Sequence, residues 1–141
     1  MFYQAIVTRE DGTWLAEFPD CPGCQTADDT EEGLHAMAKD AVEGWLECQL
    51  VGGRVPPVPR VRRGKSLLRV HIDPLLSVRI QIRIARHAAG LTQQDLAQRA
   101  GVSQQQIAKL EHPDQNASIA TLAKVAAALG MVLDVRFAKA A

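Results

Sequence analysis

Residues 2–19 alternate between two faces. In "FYQAIVTREDGTWLAEFP", Tyr3, Ala5 and Val7 take turns with Phe2, Gln4, Ile6 and Thr8, the period of two that a strand requires. Asp11-Gly12 interrupts the pattern with residues suited to a tight hairpin turn. The second arm puts Trp14, Ala16 and Phe18 on one side, and Pro19, lacking an N–H, stops the ladder. "CQTAD" is a short third strand. The period then changes to that of a helix, from about Glu31 to Leu50. Asp29 or Thr30 serves as its cap, Glu31 and Glu32 lie at the positive end of its dipole, and Leu34, Ala38, Ala41, Trp45 and Cys48 form its apolar stripe. Gly52-Gly53 ends it. A proline-rich connector, "RVPPVPRVRRG", is extended, and "SLLRVHI" alternates like a strand that pairs back onto the hairpin.

Beyond Asp73 the pattern is helical. Asp73-Pro74 starts a helix that runs to Ala89, with arginines on one side and Leu, Ile and Val on the other. Further helices fit 92–100, 103–111 and 118–129. "MVLDVRF" closes the chain as a strand, a candidate for pairing in a dimer.

The segment "QQDLAQRAGVSQQQIAKLEH", Gln93 to His112, meets the demands of a helix-turn-helix. Two short helices must cross closely, and Ala97 is small enough for the crossing. Gly101 accepts the left-handed backbone of the turn, and Ser103 caps the second helix. Leu96, Ala100, Val102, Ile107 and Leu110 are apolar where a shared core is needed. Gln104, Gln105, Gln106, Ala108 and Lys109 are left outside it. In this motif the second helix enters the major groove of DNA, where glutamine can bond adenine at two atoms and lysine can reach guanine or phosphate. Gln104, Gln105 and Lys109 are therefore expected at base edges, and Gln93 and Ser103, with backbone N–H groups, at phosphates.

Charge divides the chain where the pattern does. The net charge is zero, yet residues 1–60 carry eleven carboxylates against four Lys/Arg, a balance of −7, and residues 61–141 carry a balance of +7. The basic half suits a polyanion and the acidic half a basic protein. No run approaches the ~18 apolar residues of a membrane span. The N-terminus lacks the basic and apolar regions of a secretory signal, so the cytoplasm is the expected compartment.

Two family resemblances attach to these residues. "LTQQDLAQRAGVSQQQIAKLE" with "SIATLAKVAAALG" resembles the Xre/Cro family of phage-repressor-like DNA-binding domains, over about Ser77 to Leu129. That resemblance implies a dimer on a palindromic operator, with half-sites about 10 bp apart. "AIVTREDGTWLAEFPDCPGCQTADDTEEGLHAMAKDAVEGWL" resembles the HicB antitoxin family through Phe18, Pro19, Asp20, Pro22, Gly23, Cys24, Thr30, Ala38 and Lys39. It implies a β-β-β-α-β domain of partial RNase H shape and a partner, the small basic HicA ribonuclease toxin, whose active site the antitoxin covers. The antitoxin or the complex would repress its operon. Asp20, Asp28, Asp29, Glu31 and Glu32 are candidates for the toxin contact; capping and solubility are alternative roles for each.

The expected fold class is thus α+β: a small antiparallel sheet with one packed helix over residues 1–72, including a connector at about 52–65, then an all-α helix-turn-helix unit over 73–141 with a short C-terminal strand. The carboxylates of the first unit do not converge as RNase H chemistry needs, so no enzyme, cofactor or metal is expected. "CPGC" admits a turn with packing residues, an adventitious disulfide or a metal or redox site. The first is favoured, because His35 and Cys48, the nearest further ligands, would lie roughly 20 Å apart on one helix. His71, His87 and His112 show no ligand spacing. "RVRRGK" is either a solvated linker or an auxiliary DNA contact. Against the antitoxin stands the alternative of a stand-alone helix-turn-helix regulator whose N-terminal domain senses a ligand or another partner.

Overall fold

A computed structural model describes residues 1–112 and 116–139. Strands β1 (Phe2–Glu10) and β2 (Thr13–Glu17) form the hairpin, β3 (Gln25–Asp28) follows, helix α1 (Glu31–Val51) crosses the sheet, and β4 (Leu67–His71) returns to it. The order is β3-β2-β1-β4, antiparallel throughout, with Arg9 opposite Trp14 and Tyr3 opposite Val70. The hairpin turn places both Asp11 (φ 47°) and Gly12 (φ 85°) in left-handed backbone, the conformation that matches strand twist in a two-residue loop.

Helix α1 begins where expected, with Thr30 as cap. The Thr30 hydroxyl accepts from the Gly33 N–H at 3.0 Å, while Asp28 accepts from the Thr30 N–H and hydroxyl, both at 2.9 Å. The apolar stripe differs from the expected one. Leu34, Ala38, Val42, Leu46 and Leu50 are buried; Ala41 and Trp45 only flank them, and Cys48 is exposed. A row at i+4 winds about 40° per step, so along 21 residues the covered face turns from the sheet toward the next helix.

That next helix, α2 (Pro74–Ala88), fills two cores. Leu76 and Ile80 join Tyr3, Ala5, Phe18 and the α1 stripe. Ile82 joins Leu96, Ala97, Ile107, Leu110, Leu122 and Val125 from α3 (Gln93–Ala100), α4 (Gln104–Leu110) and α5 (Ile119–Ala128). Of the arginines expected on one side of α2, Arg79 and Arg83 are buried.

The connector is not a free spacer. The Tyr3 hydroxyl donates to the Pro57 carbonyl at 2.6 Å, and the Gln4 amide holds both backbone groups of Arg62. The expected C-terminal strand does not form. Residues 131–139 have no regular structure, since a strand needs a ladder and no described strand is available beside it.

Two glycines of α1 should respond in opposite ways. A Cβ at Gly33 would lie 2.1 Å from Asp28 Oδ2, whereas at Gly44 nothing lies within 4 Å. Gly44→Ala should stabilise the fold by about 0.5–1 kcal/mol, and Gly33→Ala should lose about 1 kcal/mol by displacing the cap. Urea denaturation of the two variants checks this.

Candidate functional site

The helix-turn-helix is held by local bonds that leave one face open. Thr92 caps α3 reciprocally with Asp95, and bonds from Thr92 hold the Asp95 carboxyl below its ordinary range. α3 ends at Gly101 (φ 68°), and the Val102 N–H returns to the Ala97 carbonyl at 3.1 Å. Ser103 then caps α4. Its hydroxyl accepts from the Gln106 N–H at 3.1 Å, and the Gln106 side chain accepts from the Ser103 N–H at 2.9 Å. Ile107 and Leu110 turn inward. Gln104, Gln105, Ala108 and Lys109 are exposed, and the Gln104, Gln105 and Lys109 side chains bond to no described residue.

The structure therefore brings Gln104, Gln105 and Lys109 together on one open surface. The two residues expected at phosphates, Gln93 and Ser103, make intramolecular bonds. The Ser103 hydroxyl is a cap, and the half-buried Gln93 donates its amide N–H to Glu111 Oε2 at 3.0 Å. Gln93 turns inward because the first position of α3 lies beside a buried carboxylate that needs donors.

That carboxylate is the residue sequence reasoning missed. Glu111, 1% exposed, follows the last residue of α4. It accepts from Arg83 Nε at 2.7 Å, from Arg86 Nε at 2.5 Å and Nη2 at 3.1 Å, and from Gln93. Burial alone would raise its pKa. The bonds from Arg86 and Gln93, with the charges of Arg86 and Arg83, outweigh burial and hold it below its ordinary value. Arg83 also donates to the Leu50 carbonyl at 3.4 Å and the Arg54 carbonyl at 3.2 Å, beside the end of α1. Among the described residues no buried side-chain polar atom lacks a partner.

The acidic candidates separate. Asp20 does not present an open carboxylate: its side chain is 7% exposed, and Arg62 grips it with two bonds of 2.8 and 2.9 Å while the Arg60 N–H adds a third at 2.9 Å. The Arg62 bonds, ahead of the other influences, keep its pKa low. A connector passing beside the Phe18–Cys24 turn claims the charge expected to meet a partner. Asp28, half-buried, is engaged by Thr30. Asp29, Glu31 and Glu32 are exposed at the start of α1, and Asp40 and Glu47 are exposed farther along it. Of "RVRRGK", Arg62 is thus engaged, while Arg63 and Lys65 are exposed.

"CPGC" is a turn. The Cys21 N–H donates to the Phe18 carbonyl, the Cys24 N–H to the Cys21 carbonyl, and the Phe18 N–H to the Cys24 carbonyl, at 2.9 to 3.0 Å. Gly23 supplies the left-handed residue (φ 82°). Both thiols are free and buried; burial pushes Cys21 up to about 12 and raises Cys24 as well, so neither is a ready thiolate. Among the described residues no three His, Cys, Asp or Glu side chains are placed to hold a metal, and no helix is long and apolar enough to cross a membrane.

Comparison with known proteins agrees with this arrangement. Residues 82–134 match the helix-turn-helix family HTH_3. Antitoxin HicB 1 of Photorhabdus laumondii subsp. laumondii is 31% identical over 123 residues, 86% of this chain and 76% of its own length. Antitoxin HicB 2 of the same organism is 25% identical over 134 residues, 95% of this chain and 94% of its own length. A solved structure described as a HicA3 and HicB3 toxin-antitoxin complex aligns with a TM-score of 0.46 at 24% identity, over 52% of this chain and 100% of the matched chain.

Removing the Glu111 charge leaves one buried and one half-buried guanidinium group, those of Arg83 and Arg86, without their anion. Glu111→Gln should cost about 3–5 kcal/mol at neutral pH. Because the folded-state pKa lies below the ordinary 4.5, this contribution is whole above that pH and is lost as pH falls through the folded value. The gap between wild type and variant in urea titrations should close in that acid range.

Proposed function

The chain belongs to the HicB antitoxin family, and from that membership we propose that it neutralises a HicA-like, mRNA-cleaving ribonuclease toxin and represses its own operon. Residues 1–72 take the toxin and residues 73–141 the operator. It works in the cytoplasm by binding rather than by catalysis.

The observation that carries the operator half is the bare face of α4. Gln104 and Gln105 project from its first turn and Lys109 from its last, each exposed, while Gln106 on the same helix is tied into the cap. Glutamine amides free on a helix with a buried opposite side can reach adenine N6 and N7 in a major groove. Lys109 supplies charge to guanine or phosphate. Two copies on a palindrome would set reading helices about one helical turn of DNA apart.

The toxin half rests on charge. A ribonuclease must hold a polyanion and so presents a positive surface, which the −7 balance of residues 1–60 complements. With Asp20 and Asp28 engaged internally, the exposed Asp29, Glu31 and Glu32 are the contacts this reading favours.

Two experiments test these halves separately. In gel-shift titration against the chain's own promoter, Gln104→Ala and Gln105→Ala should each weaken binding by about 1–3 kcal/mol per lost bidentate contact. Unchanged affinity overturns the assignment of the reading face. Co-expression should suppress the growth arrest caused by the small neighbouring gene product, and Glu31→Lys with Glu32→Lys should weaken that protection. A harmless neighbour would favour a stand-alone regulator.

A further inference from the structure

The acidic unit has a basic side. Residues 60–72 carry five Lys/Arg and no Asp/Glu, although residues 1–60 balance at −7. The structure lays this run across the outer face of the sheet, away from α1. Tyr3, Ala5 and Val70 point into the core, so Phe2, Gln4 and Ile6 of β1 and Leu67, Arg69 and His71 of β4 point outward. The Gln4 side chain holds the Arg62 backbone over that face. Arg62 itself is spent on Asp20. Arg60, Arg63, Lys65 and Arg69 are exposed, and none forms a salt bridge with a described residue. Planar groups share the surface. The Arg69 guanidinium lies 4.5 Å over the Phe2 ring, and the His71 ring centre is 5.7 Å from that of Phe2. Beside Phe2 is a hollow of about 270 Å³, lined by Met1, Phe2, Pro59, Arg60, Val61 and Gln81.

We propose that this surface binds single-stranded RNA. One base stacks in the hollow beside Phe2, and the flanking phosphates lie on Arg60, Arg63, Lys65 and Arg69. Cations without carboxylate partners call for a polyanion and repel a basic protein, so the toxin is not the occupant. Stacking in the hollow needs a base outside a duplex, which favours a single strand over double-stranded DNA. A basic surface with planar side chains is the combination that holds such a strand without reading its sequence. The exposed Gln81 amide offers both donors and an acceptor to the edge of the base, whichever base it is. The choice of RNA rests on the mRNA-cleaving toxin proposed above. Helix α1, with Asp29, Glu31 and Glu32 at its start, covers the opposite face of the sheet, so the strand and a basic partner occupy different sides. The surface shares no residue with the exposed face of α4.

Fluorescence anisotropy of the full chain with a labelled RNA strand of about 12 nucleotides tests this. Binding should weaken as salt rises, by a log–log slope of about 0.7 for each phosphate neutralised. Arg63→Ala with Lys65→Ala, both exposed, should lower that slope by about 1.4 and the affinity about tenfold. Phe2→Leu keeps apolar bulk but removes the ring, and should weaken binding about fivefold or more. A 2-aminopurine in the strand should lose fluorescence on binding wild type and keep it with Phe2→Leu. No binding at low salt, an unchanged slope in the double variant, or an unrelated duplex DNA competing as well as the RNA would each overturn the proposal. So would loss of RNA binding in Gln104→Ala with Gln105→Ala, which leaves this surface untouched. RNA binding by a chain that fails to protect cells from the neighbouring gene product would leave the surface standing and remove the toxin reading instead.

Discussion

One buried carboxylate organises the second half of the molecule. Glu111 sits at the end of α4 with four donor atoms around it, from Arg83, Arg86 and Gln93. Taking a carboxylate and two guanidinium groups out of water is expensive, and only near-complete pairing offsets the cost. The arrangement therefore tolerates little displacement of α4 against α2 and α3. Arg83 extends the constraint by holding carbonyls of Leu50 and Arg54, so the end of α1 is referred to the same point. The hydrophobic contacts of α2 with both cores provide affinity between the units, and this polar hub provides position.

The connector repeats the logic on the other side. Fifteen residues of irregular chain, 52–66, separate α1 from β4 and would ordinarily be loosely held. Here Tyr3, Gln4 and Asp20 each take a bond from or give one to the connector. The Arg54 carbonyl, at the start of the connector, also accepts from Arg83, so the connector is held to the helix that both cores share.

What was legible in the sequence was local. The Asp11-Gly12 turn, the Thr30, Asp73 and Ser103 caps, the left-handed Gly101 and the inward Ile107 and Leu110 depend on neighbours within a few residues, so spacing alone identifies them. The open face of α4 was legible for the same reason. Contacts at long separation were not. Arg83 and Glu111 are 28 residues apart, Asp20 and Arg62 are 42 apart, and nothing in either neighbourhood marks them as partners. The α1 stripe was misplaced from Val42 onto Ala41 because two overlapping apolar rows compete, and only the position of the sheet and α2 selects between them. "MVLDVRF" has the period of a strand, but a strand is a relation between two segments, and one chain holds only one of them.

The run Gln104-Gln105-Gln106 looks uniform on paper, and the capping geometry divides it. Two of its letters are free to vary with the DNA they would read; the third is bound to the integrity of the helix start. Anyone retargeting such a domain to a new operator has a two-letter alphabet here, not three. A library randomised across all three positions would confuse variants that prefer a different sequence with variants that have lost the helix start itself.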